Sequence, residues 1–398
     1  MKLERREPAI RIATFCKRDA HDDFVAYHMA NTRWLRISES LGRLGYDVDM
    51  IVDTPAGIVQ KAPGLRWVPV ASARWHEYDV VKTEYHRGFE ELCHLGGGGH
   101  PFIISRLGAV VGPDDTGPGG PFFGAERERL YDLQKSIGRC CRFVSVLSQA
   151  EADLFCRYSG APARCVVVPT GTDGTISPPR RNPYSAFPES IALYAGNIRG
   201  FACKYRVNGG AEVEVVGQPQ LNAMWQRRLN VLGGRLREKG IRLCFMGLGN
   251  VSALDPDSVT VLGPVPNAEI WDYHYFADVG IALAQGAVQW AECSKIPYYL
   301  RAGLPVVSET PIPNNTLIRE TNHGLIVDYG DDEMMADAVR EATCRSWNRS
   351  AVQCHMVQHH TWDSRARLYD RLIRQELGDE DALGTFATTA LARAGKRA

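Results

Sequence analysis

Three segments of this chain combine residue types and spacing that suit chemistry. In Phe245-Met246-Gly247-Leu248-Gly249-Asn250 an apolar run leads into Gly-x-Gly, a turn whose missing side chains let backbone N–H groups approach a ligand. In residues 292–307 (ECSKIPYYLRAGLPVV), Ser294 suits a helix N-cap, Pro297 is tolerated in a first turn, Gly303 ends the helix, and a strand follows. A helix N-terminus with Lys295 in its first turn, just past an apolar strand at 279–283, favours a phosphate. Orphan N–H groups, the helix dipole and the ammonium all act in that direction. Residues 323–331 (HGLIVDYGD) read as a last strand and its turn into a helix. The metal-like cluster is Cys354, His355, His359 and His360, where His355 and His359 share a helical face at i, i+4. Without a carboxylate ligand nearby, that pair is expected to be solvated, and no metal is expected.

These segments need elements to hold them, and the hydrophobic pattern supplies an order. Strands are expected at 9–15, 46–52, 67–70, 78–81, 102–105, 143–146 and 165–168, with helices at 24–44, 126–137 and 149–158. Residues 113–121 (PDDTGPGGP) read as a mobile loop. At 178–188 (PPRRNPYSAFP) four prolines make a semi-rigid connector. Beyond it the alternation restarts, with strands at 191–195, 241–246, 259–262, 279–283, 305–308 and 325–327 and a long helix at 221–239. A hairpin signal at 204–217 surrounds Asn208-Gly209-Gly210, and the tail from 382 is expected to fray. The reading is an α/β chain with two doubly wound domains, one over 1–177 and one over 189–358, joined by 178–188. Ligands of such sheets bind at the carboxyl ends of the strands, so the cleft between the two domains is the expected site.

Composition narrows the class. The 398 residues exceed one ordinary core, and 44% apolar with 23% charged residues is globular usage. Forty-six basic and forty-six acidic residues leave a net charge of zero, so no global field attracts nucleic acid. No apolar run approaches the ~20 residues that span a bilayer, and no signal peptide is legible, so a cytoplasmic protein is expected. The 11 cysteines are scattered, never Cys-x-x-Cys, and read as reduced thiols.

The pieces together resemble the nucleotide-sugar glycosyltransferases of the GT-B fold, in particular the large group-one (family 4-like) type with many bacterial retaining members. LGPVPNAEIWDYHYFADVGIAL, SKIPYYLRAGLPVV and HGLIVDYGDDEMMADAV follow that family's order, as do Leu147-Ser148-Gln149-Ala150-Glu151 and Val168-Pro169-Thr170-Gly171-Thr172-Asp173. The stretch His360-Thr361-Trp362-Asp363-Ser364-Arg365-Ala366 looks like the start of its C-terminal helix, so 359–398 would cross back to an acceptor-binding first domain.

The resemblance implies transfer of a sugar from a nucleotide-diphosphate donor to an acceptor hydroxyl, without a metal or other cofactor, and it favours retention. It puts the donor diphosphate at Ser294 and Lys295, Gly247 and Gly249 beside the nucleotide, and the base on the backbone of Val265. The family's Arg position holds Asn197, with Arg199 and Lys204 as substitutes by proximity. Its ribose-binding Glu position holds Tyr298, with Glu292 six residues earlier. Loops after first-domain strands offer acceptor-side groups, with Glu84 and His21 foremost, then His86 and Asp114. Glu84 falls where retaining members commonly place a His. The implied partners are the nucleotide sugar and a hydroxyl-bearing acceptor, a glycan intermediate or natural-product aglycone, with peripheral membrane contact at most. A nucleotide-sugar 2-epimerase of the same fold and a catalytically silent nucleotide- or sugar-binding protein are the competing readings.

Overall fold

A computed structural model describes residues 10–16, 29–52, 57–84, 89–92, 101–107, 110, 124–159, 164–198, 203–206, 212–215, 219–284, 289 and 291–378. The loop at 113–121, the helix start at 24–28 and the tail from 382 lie outside them.

The first half alternates as its pattern requires. Strands β1 (Arg11–Phe15), β2 (Asp47–Val52), β3 (Val59–Ala62), β4 (Leu65–Pro69), β5 (Val80–Glu84), β6 (Phe102–Arg106), β7 (Phe143–Val146) and β8 (Arg164–Val167) form one sheet in the order β3-β4-β2-β1-β5-β6-β7-β8. All neighbours are parallel except the edge pair β3–β4. The helices here are α1 (Met29–Arg43), α2 (Phe89–Leu92), α3 (Gly124–Cys140) and α4 (Gln149–Ser159). In α1, Trp34, Ile37 and Leu41 recur at helical spacing and are all buried against the sheet.

After the connector, β9 (Ser190–Ala195) opens a second sheet. An antiparallel hairpin, β10 (Cys203–Arg206) with β11 (Glu212–Val215), follows where the Asn-Gly-Gly signal lay. Then come α5 (Pro219–Glu238), β12 (Ile241–Met246), β13 (Val259–Gly263), α6 (Ile270–Phe276), β14 (Val279–Ala282), α7 (Lys295–Arg301), β15 (Val306–Glu309), α8 (Asn315–Thr321), β16 (Gly324–Val327), α9 (Asp332–Cys344), α10 (Arg349–His359) and α11 (Trp362–Leu377). The second sheet is parallel throughout, β13-β12-β9-β14-β15-β16. Its inner strands β12, β9, β14 and β15 are buried on both faces, as covered parallel strands must be, and the edge strands β13 and β16 are only partly so.

The connector at 178–188 has no helix or strand, and it is tied down. Asp272 accepts from Arg180 N and Arg181 N, and Tyr184 is buried edge-on to Tyr273. Helix α11 packs on the first sheet: Trp362, Ala366, Tyr369, Leu372 and Ile373 share a core with Ile12, Trp34, Leu41 and Phe143. Tyr46 donates to Asp370 at 2.6 Å, Arg43 pairs with Asp363 at 2.6 Å, and Tyr369 and Ser145 hydroxyls meet at 2.8 Å.

Two strand boundaries differ from expectation in a way that changes the site. Strand β5 runs to Glu84 and β6 to Arg106, so Lys82, Glu84 and Arg106 are strand residues rather than loop charges. Two-residue alternation puts Lys82 and Glu84 on the same face, and the register sets Glu84 opposite Arg106. No helix is long and apolar enough to cross a membrane among the described residues.

Candidate active site

At the carboxyl edge of the second sheet, Lys295 opens α7 and reaches toward β9. Its Nζ stands 4.7 Å from the centre of the buried Tyr194 ring, a cation–π distance. A Cβ on Gly196 would come within 2.4 Å of Lys295 Cε, so the lysine lies along the space that this glycine leaves open. Tyr299 braces the same helix, since its hydroxyl accepts from Ala195 N at 2.7 Å and donates to Leu193 O at 3.2 Å. Ser294 precedes α7 in helical conformation, and its side chain makes no capping hydrogen bond, contrary to its expected role. The ammonium therefore stands beside a first turn without a side-chain cap, a combination that attracts an anion.

The Gly-x-Gly turn after β12 is shaped first by its neighbour loop. Gly196 N donates to Met246 O and Ile198 N to Leu248 O, both at 2.8 Å, while Asn197 Oδ1 accepts from Leu248 N at 3.2 Å. A Cβ on Gly247 would lie 1.9 Å from Gly196 O, and one on Gly249 2.0 Å from Ile198 O. Both glycines let two backbone loops zip together at the strand ends, and Asn197 spends its side-chain carbonyl on that zipper. Val265 is buried in the core below. Lys204 lies on β10 opposite Glu214.

A second group lies where the two halves meet. Glu292 Oε2 accepts from Thr170 N at 2.8 Å, and Arg33 donates to Thr170 Oγ1 at 3.0 Å. Burial raises the Glu292 pKa. Tyr298 packs against the first-sheet core that contains Trp362. Burial, then the Asp173 carboxylate, pushes its phenol up. At the position that the resemblance gives to a ribose-binding Glu, the chain thus places an aromatic ring in the joint. Arg301 donates to the carbonyls of Asp173 and Thr175, Asn267 to Thr32 Oγ1 at 3.0 Å, and Thr172 N to His360 O at 2.8 Å.

Glu84 is fully buried, and its carboxylate meets Lys82 Nζ on one oxygen and Arg106, at 3.7 Å, on the other. Lys82 also stands 4.9 Å from the Tyr369 ring. A carboxylate between two buried cations is their counter-ion; losing it would leave uncompensated charge, which costs about 3–5 kcal/mol. His21, His86, Asp114 and Arg199 lie outside the described residues.

Sequence reasoning offers Arg106 only as a loop charge after the strand at 102–105, and gives no site role to Arg33 or Arg365. Arg33, Arg106 and Arg365, with Ile37, Trp362 and Tyr369, line a water-sized cavity of about 10 Å³. Glu151 is buried within electrostatic reach of Arg106 and Arg33. The available signal was Ser148-x-x-Glu151, a capping box in which Ser148 Oγ accepts from Glu151 N at 3.1 Å and Glu151 reaches back to Leu147 N at 2.7 Å. Arg33 and Arg365 sit among other helical arginines with nothing in the spacing to single them out.

No known protein family and no curated protein matches the chain in sequence. Solved structures do match. Sucrose-phosphate synthase from Thermosynechococcus elongatus is 14% identical, with a TM-score of 0.66 over 93% of this chain and 100% of the other. Anabaena HepE in complex with UDP is 12% identical, with a TM-score of 0.61 over 92% and 100%. AviGT4, a glycosyltransferase involved in avilamycin A biosynthesis, is 16% identical, with a TM-score of 0.59 over 93% and 98%. Likeness at this identity establishes the fold: two Rossmann-like sheets in the GT-B arrangement.

Proposed function

We propose that this chain is a glycosyltransferase that moves a sugar from a nucleotide-diphosphate sugar to an acceptor hydroxyl, with retention at the anomeric carbon and without a metal at the donor. The observation that carries the proposal is Lys295 at the opening of α7, packed on Tyr194 and Gly196 beside the zipped loops after β9 and β12. A fixed ammonium and a helix start at strand ends form a cradle for a leaving diphosphate, and its developing charge is what needs stabilising in glycosyl transfer. In this reading Ser294, Gly247 and Gly249 border the diphosphate and nucleotide, the Val265 backbone meets the base, and Asn197, Arg199 and Lys204 flank the phosphates. HepE has been solved with UDP-glucose as well as UDP, which makes UDP the first base to test.

The sugar's anomeric C–O bond to the phosphate breaks as the bond to the acceptor oxygen forms on the same face, and the acceptor proton passes to the departing phosphate oxygen. Acceptor positioning then falls to His21, His86 and Asp114. Glu84, held between Lys82 and Arg106, supports the carboxyl ends of β5 and β6. Glu292 and Tyr298 belong in this reading to the joint, with ribose contact left to backbone.

Purified protein incubated with a nucleotide-sugar panel, with and without acceptor alcohols, tests the reaction. Transfer predicts nucleoside diphosphate release that depends on acceptor, with only slow release to water. An interconverted donor sugar without release would indicate the epimerase, and unchanged donors throughout the silent binder; either outcome overturns the proposal.

A further inference from the structure

In sequence His355 and His359 have no carboxylate near them; the fold supplies one from 35 residues upstream of His355. Glu320, near the end of α8, places Oε1 3.0 Å from His355 Nε2 and 3.6 Å from His360 Nε2. One ligand atom from each of these three residues lies within 4.8 Å of the others. Two imidazole nitrogens and a carboxylate oxygen held tetrahedrally by an ion at zinc-like bond lengths sit about 3.3 Å apart, so the group needs only small side-chain shifts to close on one.

The second observation is His360 Nε2, a buried ring nitrogen without a hydrogen-bond partner among the described residues, which faces Glu320. The site is also reachable, since the side chains of Glu320, His355 and His360 are 48%, 29% and 12% exposed. We propose that Glu320, His355 and His360 bind one divalent ion of the zinc type, with water at the fourth position, and that the ion fastens α8 to the turn between α10 and α11.

That turn is where the chain crosses between the sheets. His360 O accepts from Thr172 N and Oγ1, and Trp362 N donates to Thr172 O at 2.9 Å. Arg365 competes with the ion for His360. Its guanidinium donates to Nδ1 at 2.9 Å, which in a neutral ring places the proton on Nε2, whereas an ion on Nε2 needs that proton on Nδ1. Binding therefore moves the His360 proton from Nε2 to Nδ1 and releases the Arg365 Nη2–H to its other acceptor, the Thr170 carbonyl, now 3.4 Å away. His355 makes the same shift, since its Nε2 donates to the Glu320 carboxylate until the ion takes that position and the proton moves to Nδ1; both rings stay neutral and no net proton leaves. This site is separate from the proposed donor cradle and does not depend on glycosyl transfer.

Titration of chelator-treated full-length protein with zinc sulfate, against a chromophoric chelator, tests the site. One ion per chain is expected, weakened at least about tenfold by Glu320→Gln or His355→Gln and unchanged by His359→Gln. Arg365→Gln, whose carbonyl can accept the Nδ1 proton, is expected to bind more tightly. No binding at millimolar zinc would overturn the proposal. So would loss in His359→Gln with Glu320→Gln unaffected, which would mean an ordinary helix-face histidine pair, or binding that survives every substitution.

Discussion

Glu151 is fully buried, and one of its oxygens takes the Leu147 N–H at 2.7 Å. Burial is the largest influence on its carboxyl and lifts the pKa to about 7, against the smaller pull of that N–H and of Arg106. A carboxyl whose pKa is higher in the folded state contributes stability that is fully present below its unfolded value, near 4.5, and is lost as pH rises through about 7. The wild type should therefore lose stability relative to Glu151→Gln as pH rises from 5 to 7, at up to about 1.4 kcal/mol per pH unit. Denaturant unfolding of both proteins at several pH values checks this, and a constant difference would show that burial does not control the group. Residue-scale placement was legible where local spacing carries it, as with Lys295 at the opening of a helix past an apolar strand. It was hidden where tertiary pairing does: Lys82 and Glu84 read as loop charges because a strand of polar alternation looks like a loop until Arg106 and α11 close over it.

At the scale of elements, the loops after β9 and β12 act as one unit through missing side chains. Gly249 has φ +142, and a Cβ there would strike Ile198 O, whereas Gly240 has φ +74 with nothing within 4 Å. Gly249→Ala should thus combine backbone strain with about 1–3 kcal/mol of overpacking and weaken nucleotide binding by prising the loops apart, while Gly240→Ala carries strain alone and spares the site. Unfolding midpoints and nucleotide titrations of the two variants check this, and equal effects would show that the zipper is unimportant. The parallel strands and the β10–β11 hairpin were readable because apolar runs and Asn-Gly turns are local signals. Strand β3 was not: its VQKA sequence alternates no apolar face, and it exists only by pairing along the edge of β4.

At the scale of the molecule, two parallel sheets are joined by a proline-rich connector and a returning helix. The connector's hydrogen bonds to Asp272 and the ion pairs of α11 with the first sheet's surroundings hold that arrangement. Both sheets were legible in the order of elements, since each βα alternation forces a covered parallel sheet. The joint was not: Glu292 on Thr170 N, Tyr298 beside Trp362, and Glu320 beside His355 and His360 link residues between 35 and 122 positions apart, or pack across sheets, which no spacing rule reaches.

Thermal unfolding with UDP, GDP, TDP and CDP is the direct test of the proposed diphosphate cradle at the second sheet. A nucleotide at a hundred times its dissociation constant adds about 2.7 kcal/mol to stability. A clear rise with one of the four, UDP foremost, and its loss in Lys295→Ala are expected. Four nucleotides without effect on the wild type, or a rise that Lys295→Ala leaves intact, would contradict the cradle.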